Sequence, residues 1–305
     1  MDWSLSIREA LKEAINQGFG QETLRGQAAA CADYKLQGRC MFGNLTMLHY
    51  QMYGGELQQD GIRAAAAIEA LVLALDMIDD LQDGDNPKTP WSQIRPDLTL
   101  NIALGFVFLS QHMLLQSGFD AVRKSAAAAL LNAESLRTVS GQMTDLLNDI
   151  ETEEDYMEMI AGKSASLLVL ACQMGTLLAC GEVKPETREY AELLGIAAQL
   201  KNDILDLTSE GEKNDFWNRK RTLPVLLLLG AVEEGHWLRE YFEGRLSREE
   251  AAHQADPFSD ELERSGAIPY ASVRMRVAYY RCLEVVENLS VEPEYKRILT
   301  EMIQS

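Results

Sequence analysis

AIEALVLALDMIDDLQDGDN, residues 67–86, is the stretch on which the reading of this chain turns. It is apolar until its last two turns and then supplies Asp76, Asp79, Asp80 and Asp83. On a helix, Asp79 and Asp83 stand four apart on one face, and Asp76 and Asp80 do the same. Carboxylates so placed repel one another, and acids near a helix C-terminus oppose its dipole. A bound cation offsets both costs. Magnesium suits the donor set, because it takes a few carboxylate oxygens, keeps waters and bridges to phosphate oxygens. One such cluster alone reads equally well as a charged helix end entering solvent.

A second cluster shifts that balance. In LGIAAQLKNDILDLTSE, residues 194–210, another apolar helix ends in Asn202, Asp203 and Asp206, with Gln199 one turn earlier. Asp203 and Asp206 share a face, whereas Asn202 offers an amide oxygen and no charge.

Around these two segments the pattern is helical almost throughout. Only 8 prolines interrupt 305 residues, and long Ala/Leu/Glu-rich stretches run between the breaks. The periodicity predicts helices at 4–17, 22–37, 61–83, 98–117, 120–150, 153–181, 186–210, 222–240 and 270–288, with a short one at the C-terminus. The breaks GDNPKTPW (84–91) and SEGEKNDFWNRKRT (209–222) each follow an acidic helix end. No Pro- or Ser-rich linker and no short repeat divides the sequence, so one all-α domain over 1–305 is the simplest expectation.

The formal charge is −19, from 28 basic and 47 acidic residues, which disfavours a general nucleic-acid binder. The five cysteines are odd in number and lack a C-x-x-C spacing, so they read as reduced residues of a cytoplasmic protein. The N-terminus, MDWSLSIREALKEA, lacks a secretory pattern, and the apolar run Leu223–Val232 is too short to span a bilayer. These features predict a soluble protein.

Five short segments carry a family resemblance. DDLQD (79–83) resembles the DDxxD motif of the trans-isoprenyl diphosphate synthases, with Ile68-Glu69 upstream where that family has it. NDILD (202–206) resembles the second aspartate-rich motif, with Asn in place of its first Asp. GQMTD (141–145), GKSASLL (162–168) and KRTLP (220–224) resemble the family's GQxxD, lysine-plus-hydroxyl and KxTLP motifs. The resemblance covers residues 54 to 224 or so, in family order. It implies a helical bundle of the isoprenoid-synthase type with a central active-site cavity, Mg2+ as cofactor, an allylic prenyl diphosphate as substrate and a homodimeric assembly. Asp79, Asp80 and Asp83 are then ligands, Asp203 a further one, and Asp206 and Asn202 weaker candidates. Lys163 and Lys220 meet the diphosphate as point charges, and Gln142 and Gln199 orient the site. Ala74 and Leu75, just over one turn before Asp79, are expected to flank the prenyl channel, with room for about fifteen carbons.

The departures are equally informative. Chain-elongating members hold a second diphosphate through a GGKRxRP stretch and an Arg-Arg pair after DDxxD. Here Gly54-Gly55 is followed by Glu56 and Leu57, and the segment after Asp83 holds a lone Lys88. A carboxylate at Glu56 beside a diphosphate is repulsive by more than ~1 kcal/mol once desolvated. LHYQMYGGEL (48–57) and LDMIDDLQDGDN (75–86) are similar to the ComQ-type isoprenyltransferases, which modify a tryptophan of a pheromone precursor peptide. That likeness implies indole as nucleophile, a role in competence and quorum sensing, and a short tryptophan-containing peptide as partner. Three alternatives stay open: a short-chain prenyl diphosphate synthase, a class I terpene synthase using Asn202, Asp206 and Glu210, and a non-catalytic synthase subunit.

Overall fold

The computed structural model describes residues 1–84, 86–209, 214–254 and 257–304. Every regular element among them is helical, so the all-α expectation holds. In chain order the helices are α1 (Ser4–Gly18), α2 (Glu22–Lys35), α3 (Met41–Met52), α4 (Gln58–Asp83), α5 (Pro96–Leu115), α6 (Ala121–Leu147) and α7 (Glu153–Ile160). After a π-helical turn at Ala161–Ala165 come α8 (Ser166–Cys180), α9 (Pro185–Thr208), α10 (Leu223–Gly230), α11 (Trp237–Phe242), α12 (Arg248–Ala252), α13 (Phe258–Ser265), α14 (Ala267–Glu287) and α15 (Pro293–Gln304).

The chain gathers into two compact units. One comprises Met1–Leu136, Leu167–Glu189 and Val286–Ser305, the other Arg137–Ser166 and Tyr190–Val285.

The first unit is built on α4, which packs against α1, α3 and α5. Its residues from Ala64 to Ala74 are at most 1% exposed, so this stretch is buried on every side, and Glu69 is its one charged residue. Alanines at 64–67, 70 and 74 let neighbouring helices approach closely. Ile7, Leu11 and Ile15 of α1 recur at four-residue spacing and are fully buried. Gly175 of α8 passes so near α3 that a Cβ would stand 2.1 Å from the Thr46 carbonyl oxygen. α4 stops at Gly84, which adopts φ 69°, a conformation that glycine enters without a Cβ clash.

The second unit holds two clusters. Tyr156, Ile160, Leu200 and Leu223 pack together beneath the lysine motif. Phe216 centres the other, stacking on Phe258 at 4.8 Å and touching Trp217, Trp237, Tyr241 and Phe242. Within the same unit Gly141 of α6 meets the π turn almost backbone to backbone. A Cβ there would lie 2.3 Å from the Lys163 nitrogen and 2.7 Å from the Gly162 carbonyl carbon.

Several expected boundaries shift for identifiable reasons. α3 falls outside the predicted helices because Gly43 to Tyr50 are all buried, which erases any amphipathic period. The stretch 222–240 divides into α10 and α11 around Gly235, at φ 81°, and His236 accepts the Leu238 N–H as a cap. The stretch 120–150 ends at Leu147, where Asn148 turns to φ 51°. By length and composition, Pro96–Leu115 and Glu153–Cys180 are apolar enough to cross a membrane. Most of the second is buried against other helices, as in the core of a globular protein.

Candidate active site

In the first unit the C-terminal end of α4 presents Asp76, Asp79, Asp80 and Asp83, all half-buried. Asp76 is ion-paired with Lys35 of α2, so its charge is already balanced. Asp80 accepts the Trp91 indole N–H at 2.7 Å and the Asn86 amide at 2.6 Å, one on each oxygen. Deeper along the helix, Glu69 is 1% exposed and accepts the Gly43 N–H at 2.7 Å. Burial pushes its carboxyl up to about 7 against the opposing pull of that hydrogen bond and of Lys35.

Two sequence expectations need correction or refinement here. Glu56 is exposed in the turn between α3 and α4, before the first residue of a 26-residue helix whose last turns hold the aspartates. At ~1.5 Å per residue it stands roughly 30 Å from Asp79, too far to repel a diphosphate bound there. The glycines before it serve the turn. Gly54 takes φ 84°, and a Cβ on Gly55 would sit 2.4 Å from the Tyr50 ring, whose hydroxyl accepts the Leu57 N–H at 2.8 Å. Ala74 is fully buried, while Leu75 is half-buried, so of that pair only Leu75 offers surface to a prenyl chain.

In the second unit a cavity of about 80 Å³ is lined by Asp145, Lys163, Ser164, Gln199, Asp203, Asp206, Asp215, Lys220 and Thr222, with Met159 and Ile160 as its apolar side. Four of the sequence motifs thus converge on one polar pocket. The π turn widens the helix at Gly162-Lys163, and the Lys163 ammonium bonds Asp145 at 2.5 Å. Asp203 is 4% exposed and held on both oxygens: Gln199 donates to Oδ1 at 2.8 Å, and the buried Tyr156 hydroxyl donates to Oδ2. Ser164 in turn donates to Gln199 at 2.7 Å, which fixes the amide's orientation.

Lys220 lines this cavity, while its two arginine neighbours are committed elsewhere. The Arg219 guanidinium lies over the Tyr241 ring at 4.7 Å, and that of Arg221 lies over Phe242 at 5.5 Å. Asn148 clasps the strap, donating to the Arg219 carbonyl at 2.7 Å and accepting the Arg221 N–H at 2.9 Å. That clasp supports Arg219 at φ 55°. Asn202 is exposed and outside this lining, Gln142 is half-buried and also outside it, and Glu210 lies outside the described residues.

The pocket's electrostatics favour a cation. Burial pushes Asp203 up to about 6, and Asp145 and Asp206 add to the rise against its hydrogen bonds. Asp215 goes further, to about 8, through burial first and then repulsion from Asp203 and Asp206; Lys220 and Thr222 oppose it. Among the described residues, Asp215 Oδ2 is buried without a hydrogen-bond partner. No three His, Cys, Asp or Glu side chains among the described residues converge tightly enough to chelate an ion by themselves. That donor set fits a magnesium ion, whose shell retains waters and substrate phosphate oxygens.

Sequence reasoning passed over Asp145, Asp215, Tyr156 and Asn148 as site residues. Asp145 sat in plain view as the last residue of GQMTD. Asp215 stood as a lone acid before aromatics, and a hydroxyl or amide held by distant partners leaves no periodic signal.

Comparisons with known proteins identify the family. The polyprenyl synthetase family model matches residues 27–255. Tryptophan prenyltransferase ComQ of Bacillus subtilis is 29% identical over 303 residues, covering 97% of each chain. The short chain isoprenyl diphosphate synthase of Methanocaldococcus jannaschii is 27% identical over 209 residues, 62% of each. The crystal structure of geranylgeranyl pyrophosphate synthase from Corynebacterium glutamicum, complexed with isoprenyl diphosphate and magnesium, superposes with a TM-score of 0.82 at 16% identity, covering 99% of this chain and 97% of that one. The chain belongs to the polyprenyl synthetase family and is a prenyltransferase acting on an allylic isoprenyl diphosphate.

Proposed function

We propose that the protein is a magnesium-dependent transferase that moves a farnesyl or geranyl group from its diphosphate to a tryptophan of a short pheromone precursor peptide. The observation that carries the acceptor is the full-length likeness to the tryptophan prenyltransferases, 97% of both chains. When bound, magnesium neutralises charge developing on the departing diphosphate. Asp79, Asp80 and Asp83 of the first unit, and Asp203, Asp206 and Asp145 of the second, are the carboxylates that would hold it. Lys163 and Lys220 bind diphosphate oxygens, while Gln199 and Tyr156 keep Asp203 oriented. As the C–O bond breaks, an indole carbon takes the prenyl carbon, and the indole proton leaves to diphosphate or water. Proximity in a water-poor site suffices for that attack.

The alternative of chain elongation regains ground from the placement of Glu56. With that carboxylate remote, the surviving argument against a second diphosphate is the loop after Asp83, where Asn86 and Trp91 are turned onto Asp80 and Lys88 stands alone. Arg39, exposed in the α2–α3 connection, and Lys35 are basic residues on the same unit that a second diphosphate could use.

The protein works in the cytoplasm on this reading, as one domain and as a homodimer. Leu100, Leu104 and Phe108 form an exposed apolar stripe along α5, suited to a second copy. The deciding experiment offers a tryptophan peptide and isopentenyl diphosphate together, with magnesium and farnesyl diphosphate, and reads products by mass spectrometry. Prenylated peptide is expected; an elongated diphosphate with untouched peptide would replace this reading by chain elongation.

A further inference from the structure

The connection that leaves the aspartate helix turns back onto it. Trp91 is 3% exposed, packs edge-on against Tyr34 at a ring spacing of 5.5 Å, and accepts the Thr99 hydroxyl on its carbonyl oxygen at 2.7 Å. Its one polar side-chain group, the indole N–H, is spent on Asp80 Oδ2, while Asn86 takes Oδ1. An ionised carboxylate offers about four lone pairs, two per oxygen. Each donor occupies one, so each oxygen keeps one for a cation. Neutral donors to an ionised acceptor make strong hydrogen bonds, and a pair on opposite oxygens removes the carboxylate's freedom to rotate. Phenylalanine would fill the same apolar space against Tyr34, so packing alone does not explain an indole whose N–H is aimed at this oxygen.

We propose that Trp91, assisted by Asn86, is a positioning residue that holds the Asp80 carboxylate in a fixed orientation for a divalent cation. The inference rests on the reading above that Asp80 is a metal ligand. It gives the loop after the aspartates a role in metal binding that the family motif does not itself contain. Partners that orient a ligand from behind change metal affinity by about 10–100-fold when removed.

The test is Mn2+ binding to the full-length protein, followed by electron paramagnetic resonance of the free ion, together with melting of the metal-free protein. Trp91→Phe removes the N–H and keeps a ring; Asn86→Ala removes the second donor. The Mn2+ dissociation constant is expected to rise about tenfold in Trp91→Phe, with Asn86→Ala moving in the same direction. An unchanged dissociation constant in Trp91→Phe overturns the proposal, even if its melting temperature falls, because packing alone would then be at stake. Should Trp91→Phe fail to fold, Asn86→Ala decides on the same criterion. Wild-type affinity in Asp80→Ala would instead remove the metal reading of Asp80 on which the proposal stands.

Discussion

Replacing Gly141 by alanine tests the core of the second unit more sharply than any change at a charged residue. The added Cβ would meet the Lys163 nitrogen at 2.3 Å, the Gly162 carbonyl carbon at 2.7 Å and the Lys163 Cα at 2.9 Å. Ordinary contact begins near 3.4 Å, so the two backbones must separate by about 1 Å. All of these are backbone atoms, and none ends a flexible side chain. Overpacking a close-packed core costs about 1–3 kcal/mol, and backbone-on-backbone overlap puts Gly141→Ala at or above the top of that range. Gly26→Ala is the matched control: nothing lies within 4 Å of its Cβ, and it sits inside α2, where alanine gains up to about 1 kcal/mol in helix propensity. Urea denaturation followed by circular dichroism should lower the midpoint of the first and leave or raise that of the second. Hydrogen exchange over residues 137–166 should localise the loss, and diphosphate release should fall because the Lys163 backbone is pushed out of its place in the cavity. An unaltered midpoint for Gly141→Ala would refute the close approach and the reasoning built on it.

Further outcomes follow from the same geometry. Asp79→Ala and Asp80→Ala should each abolish diphosphate release while circular dichroism stays helical; full turnover by both would end the metal assignment. Phe108→Glu with Leu104→Glu should shift the protein to a monomer in sedimentation, and an unchanged mass would place any dimer contact elsewhere. The metal-free protein should lose stability as pH rises from about 4 to about 8. Burial raises the Asp215 carboxyl to about 8 and Asp203 to about 6, so between their ordinary value and these the folded state binds more protons than the unfolded one. Added magnesium should flatten the slope; a flat metal-free profile would contradict the buried, crowded carboxylates.

The parts of the fold that were legible in the sequence are those whose faces differ. α1, with Ile7, Leu11 and Ile15 inward and charges outward, shows its period plainly, and α4 is long enough to be read despite a stretch that is buried all round. α3 was not legible because it is short and buried on every side, so neither amphipathic period nor length marks it. The π turn was invisible for another reason: Ala161 to Ala165 has good helical composition, and only the approach of Gly141 shows why the ladder opens there. The site was legible as motifs and illegible as distances. Lys163, Gln199, Asp203, Asp206 and Lys220 do share a cavity, yet Glu56 proved remote although helix length alone gives its separation from Asp79.

The balance of charge in that cavity leads to a last prediction. Asp145, Asp203, Asp206 and Asp215 face Lys163 and Lys220, so the wall carries more acid than base. Lys163 is moreover engaged by Asp145 at 2.5 Å, which leaves little net positive charge to attract an anion. A bare diphosphate approaching such a wall meets repulsion that strengthens as water is excluded. With cations bound, Asp145, Asp203 and Asp206 would be the carboxylates that hold them, Lys163 would be freed from Asp145, and the ions would supply the positive charge that a diphosphate needs. Donor binding should therefore depend on the metal, not only catalysis. Isothermal titration of farnesyl diphosphate into metal-free protein should show no saturable heat, and adding magnesium should restore it. Asp145→Asn removes one negative charge and frees Lys163 in advance, so it should bind the donor measurably without metal while losing turnover. Equal donor affinity with and without magnesium in the wild type would refute this, and would mean that the lysines alone outweigh the cavity's ionised aspartates.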